Sequence, residues 1–172
     1  LTPVGEKGST NDHANRDFPL VLSGLSGTDT NESGFRFVFI ELADDDTELA
    51  LKAVEGVLIY RDIDYIGNFE SSDLLIDKIY ATAAYTAHLN MQEYMWDGIK
   101  RDRLVWIGDM HPEVMTICSV FGDNEVVPKS LDSIRDITPI GKWMNGISSY
   151  SLWWIMCQYD YFMQNGRLDY LE

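Results

Sequence analysis

The sequence predicts an α+β fold with the two kinds of element segregated: strands in residues 1–69 and helices in residues 70–172. Three observations carry this reading. Aromatic and β-branched residues alternate with period two in the first part. Apolar residues recur at helical spacing in the second. All five Trp fall in the second part as well. Both parts are acidic, so periodicity and not charge sets the boundary near Phe69.

In chain order, Leu20-Val21-Leu22 is a short apolar run ended by Ser23-Gly24. Residues 34–42 follow, with Phe35, Phe37 and Phe39 on one face of a strand. The acidic stretch Ala43-Asp44-Asp45-Asp46-Thr47 lacks the spaced oxygen ligands and distal Glu of a calcium loop, and reads as a solvated turn. Leu49, Leu51, Val54, Val57 and Ile59 mark one or two further strands, with Gly56 at a bulge or bend.

Helix signals begin at Ser71-Ser72-Asp73, whose side-chain oxygens can cap a helix running from Leu74 to about Asn90. A second helix is expected with Pro112 in its first turn, through Val114, Ile117 and Phe121 to a stop at Gly122. A third covers roughly Lys129 to Asp136, before Pro139. A fourth, from Ser148 to about Gln164, is apolar on nearly every face and closes at Asn165-Gly166. Arg167 to Glu172 look like the start of another helix. A helix apolar all round expects neighbours all round, and four helices cannot supply them. Part of the fold is therefore expected to lie outside this chain.

The composition excludes several functions. With 172 residues, 45% hydrophobic and 24% charged, the chain fits a folded globular protein. A net charge of −15 repels nucleic acid and anionic membrane surfaces, so neither is expected as a partner. No apolar run approaches the roughly 20 residues of a membrane span. Leu1-Thr2-Pro3-Val4 has neither the basic nor the apolar region of a signal peptide, and the chain is expected to be processed or cut from something longer. Cys118 and Cys157 sit in apolar helical contexts and read as small hydrophobes. No metal or cofactor is expected.

The stretch from Trp96 to His111 is the richest in chemistry. It holds Asp97, Asp102 and Asp109, the cations Lys100, Arg101 and Arg103, and two Trp, flanked by Gly98 and Gly108. Sugar recognition needs such types: carboxylates accept from hydroxyls, Arg donates in a fixed fork, and Trp offers a flat apolar face. A surface ion-pair network accounts for the same charges. His111-Pro112-Glu113 is not a two-His zinc pattern, and no Walker spacing is present. Lys100-Arg101-Asp102 echoes a kinase catalytic loop without its later Asn.

The run from Asp97 through Arg101, Asp102, Arg103 and Trp106 to Gly108-Asp109 resembles the active-site signature of inverting α-L-rhamnosidases, glycoside hydrolase family 78. The usual form is Asp-Cys-Pro-Gln-Arg, one or two acidic residues, then Arg-Leu-Gly-Trp-Thr-Gly-Asp. With Met110-His111-Pro112-Glu113 after it, the variant looks like a subgroup common in gut Bacteroidetes. Residues 64–73 look like the entry into the catalytic domain. Departures are Gly98-Ile99-Lys100 for Cys-Pro-Gln, a single acid before Arg103, and Val105 and Ile107 for Gly and Thr.

The resemblance implies a β-sandwich module in residues 1–69, followed in residues 70–172 by the first hairpins of an (α/α)6 barrel. It implies that Asp102 is the general acid, expected to have a raised pKa. Asp97, Arg101 and Asp109 would hold the sugar, Trp106 would wall it, and Trp143 would be a further platform or else a packing residue. Trp153 and Trp154 read as core. The general base would lie beyond this chain, which alone is expected to be inactive, and exposed faces would bind the rest of the catalytic domain or self-associate. Rhamnose-containing glycosides or polysaccharides would be the substrates, and a periplasmic or extracellular setting is favoured. A non-catalytic carbohydrate-binding module, or a toroid hydrolase of another sugar, are the alternatives. His13 is expected to be solvated, His88 to bond a neighbour, and His111 to cap the second helix.

Overall fold

The computed structural model describes Gly34, Phe37, Glu48, residues 50–99 and residues 104–171. These form five α-helices: α1 (Leu74–Asn90), α2 (Ile107–Val120), α3 (Val126–Ile137), α4 (Ser148–Asn165) and the short α5 (Leu168–Leu171). A 3-10 turn, Met144–Gly146, precedes α4.

The expected α+β class with its β-sandwich strands is overturned, because no sheet forms among the described residues. Their one strand-like pairing is an isolated antiparallel bridge between Met91 and Met95. Residues 53–71 have no regular secondary structure, and Val57 is 75% exposed. Leu20-Val21-Leu22 and most of residues 34–42 lie outside the described residues. Period-two alternation says where side chains point, but a strand also needs a partner edge. The backbone of residues 59–67 finds its partners on α1, on α2 and on Gln92 just beyond α1 instead. Gln92 donates through Nε2 to the Ile59 carbonyl (3.1 Å), and the Ile66 and Gly67 amides both donate to the Val120 carbonyl (2.8 and 2.9 Å).

His88 anchors this strap to α1. It is 5% exposed, and its Nε2 lies 2.6 Å from the Arg61 carbonyl oxygen. A carbonyl only accepts, so Nε2 carries the hydrogen. Nδ1 pairs with the Tyr65 hydroxyl at 2.9 Å. Arg61 in turn donates from Nε to the Gln92 carbonyl (3.0 Å) and pairs with Glu125.

In α1, Asp73 accepts the Leu75 amide at 2.8 Å, as its capping position requires. Only Ala84 and His88 of this helix are buried, while Leu74, Leu75, Ile76 and Ile79 are exposed. In α2 the buried stripe is Ile107, Met110, Val114, Ile117 and Val120, one helical face. This helix starts five residues before Pro112, which lies inside it. Gly122, at φ +78°, receives the chain at its end and donates to the Ile117 carbonyl.

α3 is buried through Val126, Val127, Leu131 and Ile134, and begins where the Asn124 side chain accepts the Val126 amide. α2 packs mainly on α4, with α1 and α3 flanking. Trp154 of α4 donates to the Leu131 carbonyl (2.9 Å), and the Tyr161 hydroxyl donates to Asp123. Cys157 is buried and Cys118 half-buried, both as free thiols; burial pushes the Cys157 thiol up to about 12. On the far side of α4, Leu152, Ile155, Met156, Tyr159 and Met163 are exposed.

Candidate active site

The segment between α1 and α2 is anchored before it reaches the charged stretch. Met91 and Met95 are fully buried, and the Met95 amide donates to the Ser130 hydroxyl at 2.8 Å. Asp97 then closes a clasp. Its amide donates to the Leu104 carbonyl (3.1 Å), and its Oδ1 accepts the Leu104 amide (3.0 Å). The two ends of residues 98–103 are thereby held together. Asp97 thus has a local structural task in addition to the sugar-holding role expected of it. Arg101 and Asp102 lie outside the described residues.

Beyond the clasp, Trp106 stands at the start of α2. It is half-buried, with its ring edge-on to Tyr150 at 6.1 Å. Asn145, at φ +52°, fastens this helix start from the other side. Its Oδ1 accepts the Ile107 amide (3.1 Å) and its Nδ2 donates to the Val105 carbonyl (3.0 Å). Gly108 is needed here because a Cβ would run into the Tyr150 ring. Asp109 is exposed in the first turn of α2, where the helix dipole favours a carboxylate.

Between α1 and α2 runs a groove of about 680 Å³, largely apolar, lined by Ile79, Ala83 and Ala87 from α1, by Met95, and by Glu113 and Thr116 from α2. Glu113 is half-buried. Burial first, then the charges of Asp109 and Asp97, push its carboxyl up to about 8. The structure thus brings Asp97, Asp109 and Glu113 into one electrostatic neighbourhood. Sequence reading passed over Glu113 as a helix residue. Its signal was the four-residue step from Asp109, legible only once Pro112 is placed inside the helix.

Trp143 is 58% exposed and does not line this groove. His111 does not cap α2: its Nε2 pairs with Asp160 of α4 at 2.8 Å, with the Trp153 ring 4.9 Å away. Among the described residues no group of three metal-ligating side chains occurs, and no helix is long and apolar enough to cross a membrane. His13 lies outside the described residues.

Residues 64–159 match the family model of the bacterial α-L-rhamnosidase six-hairpin glycosidase domain. The chain belongs to that family. No curated protein matches it. Membership supports a glycoside hydrolase function in general, and helical hairpins are consistent with the architecture of such a glycosidase domain. The matched region takes in α1, α2, α3 and most of α4, and with them the groove and the clasped segment.

Proposed function

We propose that this rhamnosidase-family domain releases terminal α-L-rhamnose from glycosides or polysaccharides with inversion, in the manner of the subgroup its signature resembles. Asp102 protonates the departing glycosidic oxygen. Asp97, Arg101 and Asp109 hold the sugar hydroxyls, and Trp106 and Trp143 offer it apolar faces. The observation that carries this reading is the Asp97–Leu104 clasp, which fixes the ends of the segment bearing Asp102 beside the start of α2.

Inversion needs a second carboxylate roughly 6.5–9.5 Å from the acid, with a water between. That base is assigned to a further hairpin of the six-hairpin domain, and residues 1–172 alone are expected to be silent. The exposed apolar side of α4 supports further hairpins as the covering partners.

The test is an aryl α-L-rhamnoside assay on the full-length protein, with the first-formed anomer read by proton NMR. Release of β-L-rhamnose supports the reading. Asp102→Asn should lower turnover of an unactivated rhamnoside by roughly 10²–10⁴-fold. Retention, no release of rhamnose, or an unaffected Asp102→Asn would overturn it. Binding of rhamnose without hydrolysis would identify a carbohydrate-binding module instead.

A further inference from the structure

We propose that Glu113 is a further substrate-positioning residue, which faces the groove between α1 and α2 and donates a hydrogen bond to an oxygen of the bound glycoside. The inference rests on the rhamnosidase reading above and concerns a residue that the signature does not contain, in a groove close enough to Asp97 and Asp109 to feel their charges. Three observations converge on it. Glu113 lines the groove from α2, one turn beyond Asp109. Its surroundings there are largely apolar: Ile79, Ala83 and Met95 line the same space. Among the described residues no side chain hydrogen-bonds to its carboxyl, so its polar atoms are available to a ligand.

The charge state follows from the neighbours. Asp109 on its own helix and Asp97 on the clasped segment both disfavour a third negative charge, and burial adds to them. Glu113 and Asp160 also act on Cys157 from the α2–α4 side. Lys78 is the only cation among the described residues lining the groove, and it is exposed on α1. Near neutrality Glu113 therefore carries its proton. A neutral carboxylic acid donates, whereas Asp97 and Asp109 can only accept when ionised. A sugar hydroxyl both donates and accepts, so a mixed set satisfies it more fully than carboxylates alone.

The experiment measures KM and kcat of the full-length protein for an aryl α-L-rhamnoside from pH 6 to pH 9.5, for wild type, Glu113→Gln and Glu113→Ala. Wild-type KM should rise roughly tenfold as pH passes about 8, the loss of one donated hydrogen bond. Glu113→Gln keeps a donor of the same shape and should abolish that rise. Glu113→Ala should bind roughly tenfold more weakly already at pH 6, with no further alkaline loss. Carbon NMR of the Glu113 carboxyl gives a readout independent of turnover, and should show titration well above 7. A Glu113→Gln profile that keeps the wild-type rise, wild-type binding by Glu113→Ala, or a carboxyl titrating below 6 would overturn the proposal while leaving the rhamnosidase reading standing. A wild-type protein that neither binds nor cleaves rhamnosides overturns both.

Discussion

The Ser130 hydroxyl joins two backbones: it donates to the Val126 carbonyl at 2.6 Å and accepts the Met95 amide at 2.8 Å. Ser130 is fully buried on α3, and Met95 lies two residues before Asp97. One hydroxyl thus links α3 to the segment that carries the signature. Ser130→Ala leaves the buried Met95 amide without a partner, at a cost of about 1–3 kcal/mol. Urea unfolding should show this as a lower midpoint at unchanged slope, while Ser130→Thr should recover part of it. An unchanged midpoint in Ser130→Ala would show that the linkage contributes nothing.

Asn145 spans the start of α2 with two hydrogen bonds while holding a left-handed backbone. Asn145→Ala loses both and replaces a residue that tolerates the left-handed region with one that does not, so about 2–4 kcal/mol should be lost. Asn145→Gly relieves the backbone term and should cost less. Asn145→Asp keeps the acceptor for Ile107 and loses the donor to Val105, and should fall between them. Thermal unfolding of the three variants checks the order.

Glu113 makes stability depend on pH. Its folded pKa of about 8 lies above the ordinary carboxyl value of 4.5. Below 4.5 both folded and unfolded forms hold the proton, and the full stability is present. Between 4.5 and about 8 the unfolded form releases it and the folded form does not, so stability falls as pH rises. Above about 8 this contribution is flat. Glu113→Gln should remove that slope in denaturant midpoints measured from pH 4 to pH 9. A slope that persists in the variant would place its origin elsewhere.

Gly67 is where the strap meets α2. A Cβ there would strike the Ser119 carbonyl and the Val120 backbone, which cannot move aside as a side chain can. Gly67→Ala should therefore break the two amide bonds to Val120 and free residues 59–67. Hydrogen exchange at Ile66 and Gly67 should accelerate sharply, with α3 protection unchanged. Retained protection at both amides would show that the strap and α2 accommodate the added Cβ.

Helix ends were the most legible part of the sequence, because they depend on local chemistry. Asp73, Gly122 and Gly166 each terminate a helix where capping preferences put them. The start of α2 was misplaced because Pro112 suits a first turn, while the helix nucleates earlier on backbone bonds to Trp106 and the side chain of Asn145. No local signal announces a side chain arriving from 38 residues away. The strand pattern failed for a related reason: alternation in residues 49–59 carries no information about whether a partner edge exists. Near the groove, the signature singled out Asp97 and Asp109, whose charges reach Glu113. Glu113 itself was not legible, because its character comes from burial against α1 and from two neighbouring charges.

The Asp97–Leu104 clasp also bears on how such a domain diversifies. With both ends of the intervening segment fixed to each other, residues can be inserted or exchanged between them without moving α1 or α2. Lengthening a closed loop is cheap, about 0.6 kcal/mol for each doubling. The scaffold thus isolates the stability of the helices from the length of the loop. Asp97 and Leu104 set the outer limits of that freedom, because a change that breaks their pairing reaches the helices themselves.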